Sequence, residues 1–171
     1  PGSKPHVNTR PMRVAEKHAG MKLLDVLHDV FPEVPHDNWT EAFAQQQMLG
    51  PEKHPVEPTQ VVEPGERYYR LFPEYQEPDV STDIEILHED TGFVVVNKPA
   101  PLPMHASGRY HRNTLEHLLN LAYAPEKLRP AHRLDANTTG VVVFSRSRRW
   151  ARLIQPQFEF GKVEKTYLAR I

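Results

Sequence analysis

The residues of this chain best suited to chemistry are an arginine and an aspartate, two positions apart, in the stretch HRLDANTTG at 132–140. Arg133 and Asp135 precede a polar turn, and the turn leads into an apolar run at 141–144 that predicts a strand buried on both faces. An aspartate on a loop at the edge of a rigid sheet can serve as a nucleophile or base. The same residue can equally cap the backbone amides of a turn. Residue types alone leave both interpretations open.

Histidines raise the alternative of a metal site. The sequence has ten of them, and four lie near one another along the chain: His105, His111, His117 and His132. Their spacings of six, six and fifteen do not match the helix-borne pairs that commonly bind zinc. We therefore expect no bound metal. The sequence also lacks a G-x-S-x-G elbow, a phosphate-binding loop and a G-x-G-x-x-G fingerprint, so it gives no support to hydrolase or nucleotide-binding classes.

Basic residues are concentrated late in the chain. The net charge is −1, yet residues 127–171 carry ten Lys or Arg against three Asp or Glu. Four arginines surround Trp150 in SRSRRWAR: Arg146, Arg148, Arg149 and Arg152. Clustered arginines can neutralise the phosphates of a nucleic acid whatever the global charge. The alternative is an ordinary solvated helix start.

The elements that would position these residues can be predicted from periodicity and turn chemistry. A turn at 90–92 predicts a hairpin between strands at 84–88 and 93–97. Leucines at helical spacing predict an amphipathic helix over 112–122, and a further helix is expected over 147–158. The segment KVEKTYLARI at 162–171 is expected to begin another strand.

The composition suits a folded chain of one or two domains, with 39% hydrophobic residues and no cysteine. We divide the sequence into four parts: a flexible arm at 1–12, a small α+β domain at 13–72, a proline-rich acidic linker at 73–83, and a second domain at 84–171. No apolar run approaches the length that spans a membrane. We expect a cytoplasmic monomer without a membrane partner.

Three segments, in order, resemble one known family. HRLDANTTG resembles the H-R-L-D-x-x-T-S-G signature of the RluA-type RNA pseudouridine synthases, and ILHEDTGFVVVNKPAPLPMH resembles their first catalytic strands and N-K-P loop. QPQFEFGKVEKTYLARI resembles their Q-F-x-x-x-x-V-x-K-x-Y-x-A segment. The N-terminal unit resembles the small RNA-binding domain first described in a ribosomal small-subunit protein, although its helices carry several acidic residues.

The resemblance implies an α+β fold: a small RNA-binding-like domain, then the first half of a mixed, largely antiparallel catalytic domain that is incomplete at its C-terminus. It implies isomerisation of uridine to pseudouridine in ribosomal or transfer RNA, with no cofactor. We expect this piece to be inactive alone. Two alternatives are a relative that only binds RNA and a histidine-based metal hydrolase.

The resemblance also assigns roles by position. Asp135 matches the essential aspartate, which attacks the ribose C1′ or removes the 2′ proton. Arg133 matches the arginine that fills the gap left by the flipped uridine, and Tyr167 matches the tyrosine that stacks on that base. The arginines of SRSRRWAR are expected to contact RNA.

Overall fold

The chain forms two units, each with its own hydrophobic core, in the computed structural model, which describes residues 1–169. The small unit comprises Pro5–Tyr75, and the large unit comprises Pro1–Lys4 with Gln76–Ile171. Both units combine helices with antiparallel sheets, so the predicted α+β class is confirmed.

The small unit pairs two helices with a sheet of order β1-β3-β2. Its elements are β1 (His6–Arg13), α1 (Leu23–Val30), α2 (His36–Ala44), β2 (Met48–Leu49) and β3 (Arg67–Tyr75). Apolar side chains of both helices pack on one face of this sheet, where Tyr68 of β3 and Met48 of β2 are 1% exposed. Gly20, with φ +74°, lies between a short 3-10 helix (Glu16–His18) and α1.

The prediction of a flexible arm at 1–12 was wrong. Residues His6–Arg13 form β1, which pairs with β3 along its length, from Arg13 opposite Arg67 to His6 opposite Tyr75. The partner strand lies at the far end of the small unit's sequence. Local patterns do not reveal such non-local pairing, and a strand that alternates polar and apolar residues with a central proline reads as a loop.

The large unit is built on a sheet of order β4-β5-β7-β6, in which every pair is antiparallel. Its elements are β4 (Glu85–Glu89), β5 (Phe93–Lys98), α3 (Leu115–Ala122), β6 (Arg129–Pro130), β7 (Gly140–Ser145) and α4 (Arg148–Glu159). The predicted hairpin is confirmed: the Asp90 carboxylate accepts the backbone N–H groups of Gly92 and Phe93, both at 2.7 Å, and closes the turn between β4 and β5.

Strand β7 is buried on one face only, so the prediction of burial on both faces was wrong. Val142 and Phe144 are fully buried, whereas Val141 is 55% exposed. Leu102 and Leu115 belong to the core that packs on the buried side. The apolar run therefore reflects a strand with one face toward a core and a partly open opposite face.

The predicted strand at 162–171 is not formed in the residues that the structure describes. Residues 164–169 carry no regular secondary structure, and positions 170 and 171 lie outside the described residues. A strand requires a neighbour that supplies its hydrogen-bond ladder, and none pairs with residues 162–169. Among residues 1–169, no helix has the length and apolar character needed to cross a bilayer.

Candidate active site

The loop between β6 and β7 carries Arg133 and Asp135 on an open surface. Both side chains are exposed, and both line one cavity of about 340 Å³. Leu134, between them, is 8% exposed and belongs to the large unit's core. The alternation of polar and apolar residues therefore anchors the loop through Leu134 while it presents a carboxylate and a guanidinium to the same space.

A buried lysine fixes the backbone immediately after the aspartate. Lys98, the last residue of β5, is fully buried, and its ammonium group donates to three carbonyl oxygens: Leu102 at 2.7 Å, Pro99 at 3.0 Å and Ala136 at 3.2 Å. The Leu102 N–H also donates to the Ala136 carbonyl at 2.9 Å. The N-K-P loop and the Asp135 loop are thus joined around one cation.

The charges of Lys98 and Asp135 also interact. Burial lowers the pKa of Lys98 because desolvation disfavours its charged form, and the negative charge of Asp135 acts in the opposite direction. The aspartate therefore helps to keep the lysine protonated, and the lysine supplies a positive potential behind the aspartate.

The opposite wall of the cavity comes from the loop at 103–110, which contains a tight turn. The backbone groups of Ser107 and Tyr110 bond to each other in both directions at 3.0 Å. The first turn of α3 meets the start of this loop, because the N–H groups of Leu115 and Glu116 donate to the carbonyls of Pro103 and Met104. The loop is therefore held at the N-terminal end of a helix.

Glu77 is a residue of this region that the sequence did not reveal. It falls in the segment predicted as a linker, yet it is 2% exposed, and its carboxylate accepts the backbone N–H groups of His111, Arg112 and Asn113 at 2.8–3.0 Å. Asn113 in turn donates to the Pro78 carbonyl at 2.8 Å. A buried acid in a proline-rich stretch gives no periodic signal, so only the fold shows that it holds the chain just past the cavity wall.

Tyr167 does not share the cavity of Arg133 and Asp135. It is 62% exposed and lines a separate cavity of about 400 Å³, whose wall includes Leu134 and Phe158. Leu134 borders both cavities. The structure thus brings Arg133 and Asp135 together and leaves Tyr167 on the other side of Leu134, on a segment that pairs with no strand among residues 1–169.

A stacked histidine lies on the flank of the loop that carries Arg133 and Asp135. The rings of His132 and Phe158 are 4.3 Å apart and nearly parallel, and His132 Nε2 accepts the Val143 N–H at 3.3 Å. Burial lowers the pKa of His132, and the charge of Lys165 lowers it further. His132 is therefore held neutral, as a structural support for the loop.

The four arginines near Trp150 divide into two groups. Arg146 is bound by two carboxylates, with Nε 2.8 Å from Glu126 Oε2 and Nη1 3.0 Å from Glu89 Oε1, and these contacts raise its pKa. Both contacts engage the charge of Arg146 within the fold, and its predicted RNA contact stays a prediction. Arg148, Arg149 and Arg152 are exposed on α4, and their predicted role stays a prediction.

Trp150 packs inside the large unit. Its ring lies 5.3 Å from that of Phe93, and a side chain at Gly92 would approach the Trp150 ring to 3.0 Å.

Of the four histidines noted in the sequence, His105, His117 and His132 belong to no group of three or more potential metal ligands within residues 1–169.

The arrangement provides one exposed carboxylate beside one guanidinium, on a loop fixed by buried contacts, facing an open cavity. A carboxylate so placed can attack an electrophilic carbon or remove a proton from a substrate that enters from solvent. The rigid support behind it favours a constant geometry for that step.

Comparison with known proteins shows which family the chain is similar to. Residues 92–171 match the family model described as RNA pseudouridylate synthase. RNA pseudouridine synthase 7 of Arabidopsis thaliana is 28% identical over 159 residues, which cover 92% of this chain and 40% of that protein. Pseudouridylate synthase RPUSD2 of Homo sapiens is 31% identical over 153 residues, which cover 89% of this chain and 28% of that protein.

A bacterial relative matches a shorter region at higher sequence identity. The tRNA pseudouridine synthase C of Haemophilus ducreyi is 39% identical over 88 residues, which cover 51% of this chain and 36% of that protein. The chain therefore spans between 28% and 40% of the length of these three relatives. Arg133, Asp135 and Tyr167 all lie within the residues that match the family model.

Proposed function

We propose, from the match of residues 92–171 to the RNA pseudouridylate synthase family model, that the complete protein is an RluA-type RNA pseudouridine synthase that converts uridine to pseudouridine within RNA. The observation that carries the proposal is the pairing of Arg133 and Asp135 at one open cavity, on a loop fixed by Lys98. The name of the relative from Haemophilus ducreyi points to transfer RNA as one substrate class, and ribosomal RNA is the other that we propose.

The reaction requires a carboxylate that the ribose of the substrate can reach. The N1–C1′ bond of uridine breaks, the base turns, and a C5–C1′ bond forms, while the proton on C5 leaves and N1 gains one. Atoms balance without any external reactant. We propose that Asp135 performs the step at the ribose, either by attack on C1′ or by removal of the 2′ proton.

The open cavity supports a flipped nucleotide as the reacting form. A ribose inside a stacked helix cannot reach a carboxylate on a protein loop, so the nucleotide must first leave the stack, at a cost of a few kcal/mol. We propose that Arg133 occupies the gap, because a guanidinium plane can replace lost base stacking. Its exposed position beside Asp135 suits that role.

Tyr167 is proposed to stack on the flipped base in the complete protein. The residue lies across Leu134 from Asp135, on a segment without regular secondary structure. Strand pairing of residues 162–169 with further sequence would fix its position, and this chain covers less than half of each relative. We therefore expect the 171-residue chain to bind RNA with little or no turnover.

The experiment uses the complete protein and RNA labelled with tritium at C5 of uridine, because the C5 proton is lost in the reaction. Single-turnover release of tritium, together with pseudouridine found by mass spectrometry of the digested RNA, is the expected result. RNA binding without tritium release would instead identify a relative that binds RNA but does not isomerise it.

A further inference from the structure

The small unit has a solvent-facing sheet surface whose composition differs from the rest of the unit. We define the outer face as the side of the β1-β3-β2 sheet opposite the buried Met12, Met48 and Tyr68. Successive strand residues point to opposite sides, so the neighbours of Tyr68 in β3, Arg67 and Tyr69, lie on the outer face.

Basic and acidic residues are separated within this unit. Residues 5–75 carry seven Lys or Arg against eleven Asp or Glu, so the unit as a whole is acidic. Among the cations of β1 and β3, Arg13 and Arg67 lie on the outer face, whereas Arg10 and Arg70 lie on the opposite face. Positions 9, 11, 13, 67, 69 and 71 of the outer face include no carboxylate. The outer face is thus a positive surface on an acidic unit.

Two arginines on this face oppose each other directly. Arg13 and Arg67 are partners in the β1–β3 register, and both are exposed. In the described residues, the ion pairs to carboxylates lie elsewhere and include neither arginine. Like charges directly opposite on neighbouring strands destabilise a sheet. The pair therefore lowers the stability of the unit and leaves two unneutralised guanidinium groups side by side.

An aromatic ring lies next to the arginine pair. Tyr69 sits between Pro11 of β1 and Leu49 of β2 in the sheet register and is half-buried. The ammonium group of Lys53 lies 6.0 Å from the centre of its ring. An aromatic platform flanked by cations is the combination that binds unpaired nucleic acid, since bases stack on the ring and phosphates meet the charges.

We infer that the outer face is a second RNA-contact surface, which binds an unpaired segment with Arg13 and Arg67 on its phosphates and Tyr69 under a base. The inference rests on the proposed function for the class of partner. It assigns the contact to the sheet rather than to the helices, where Asp25 and Asp29 would repel phosphates.

The test uses the 171-residue chain and a fluorescent oligouridylate of about 20 nucleotides as the probe. Arg13→Ala with Arg67→Ala should weaken binding roughly tenfold at moderate salt, and should reduce the slope of log affinity against log salt by about 1.4. Tyr69→Leu should weaken binding by at least about fivefold without changing that slope. The matched control, Lys22→Ala with Lys127→Ala, removes the same charge from exposed sites elsewhere.

The unfolding temperature is a second readout, and it distinguishes RNA binding by Arg13 and Arg67 from a purely structural role of these residues. Removing one of two opposed arginines relieves repulsion, so Arg13→Ala should unfold at the same temperature as the parent chain or higher. Binding equal to that of the control would overturn the inference. The inference would also be overturned if the arginine variant bound RNA as well as the parent chain does but lost affinity for polyglutamate. That result would identify an acidic protein as the partner of this surface.

The proposed function and the proposed RNA-contact surface can be rejected independently of each other. Loss of pseudouridine formation is measured on Asp135 variants of the complete protein, whereas the outer face is measured by affinity of the chain for unmodified RNA. Normal oligouridylate binding by the arginine variant, in a protein that still makes pseudouridine, would reject the surface and leave the activity in place.

Discussion

The ammonium group of Lys98 lies 3.2 Å from the carbonyl oxygen of Ala136, the residue that follows Asp135. This contact crosses from the end of β5 to the loop that carries Arg133 and Asp135 and is shielded from solvent, since Lys98 is fully buried. The backbone beside Asp135 is therefore held by a cation that is buried away from the cavity surface. We expect Lys98 to act as a positioning residue whose contribution can be separated from that of the carboxylate.

Lys98→Met should reduce kcat of the complete protein by about a hundredfold while the affinity for RNA stays within twofold, because a shift of about 1 Å in a reacting group has an effect of that size. The free energy of unfolding should change by less than about 2 kcal/mol, since relief of desolvation offsets the lost hydrogen bonds. Single-turnover rates and a binding isotherm measure both quantities. Lys127→Met, at an exposed lysine, is the control, and equal kcat in the two variants would contradict the positioning role.

Glu77→Gln should lower the free energy of unfolding by about 2 kcal/mol, because a neutral amide cannot accept three backbone N–H groups as a buried carboxylate does. Urea unfolding of the 171-residue chain measures the change. Asp79→Asn, at an exposed acid two residues away, should leave stability unaltered. If the two variants unfold alike, the anchoring role of Glu77 is rejected.

His132 should make stability fall at mildly acidic pH. Burial, together with the charge of Lys165, lowers its pKa in the folded chain below the ordinary 6.5, so the unfolded chain binds more protons between the two values. The contribution of neutral His132 to stability is fully present above pH 6.5. It is lost as the pH falls from 6.5 through the lowered pKa.

His132→Gln keeps an acceptor for the Val143 N–H but does not titrate, so its stability should vary less between about pH 5 and 6.5 than that of the parent chain. Part of the dependence should persist, because burial also lowers the pKa of His117. His54→Gln serves as the control at an exposed position. An undiminished pH dependence in His132→Gln would contradict the assignment.

Arg146 and the exposed arginines of α4 should behave differently. Arg146→Ala removes the bonds to Glu89 and Glu126, so it should lower the unfolding temperature without changing the salt dependence of RNA binding. Arg148→Ala with Arg152→Ala should leave stability unchanged and reduce the slope of log affinity against log salt by up to about 1.4. The opposite pattern would mean that Arg146 binds RNA.

Local features of the fold were predictable from the sequence because short-range chemistry determines them. The Asp90 turn, the helix from Leu115 and the strand ending near Phe144 follow from turn residues and periodicity. The strand at His6–Arg13 did not follow, because its partner β3 is distant in the sequence. Its stability comes from that pairing rather than from any preference within the stretch.

The candidate site was predictable where one motif contains it and not where the fold assembles it. Arg133 and Asp135 belong to a single stretch, and the structure places them at one cavity. Glu77 and the buried contacts of Lys98 come from separate segments, and neither leaves a pattern in composition or spacing. Tyr167 belongs to a motif, yet the described residues place it at a separate cavity, on a segment without regular secondary structure.

The most direct measurement is single-turnover tritium release from C5-labelled RNA by the complete protein carrying Asp135→Asn, a change that removes the charge and keeps the shape. We expect no detectable release, with RNA affinity within about threefold of the parent protein, because the carboxylate acts in the chemical step and not in holding the RNA. Release at the parental rate would contradict the assignment of Asp135 as the reacting group.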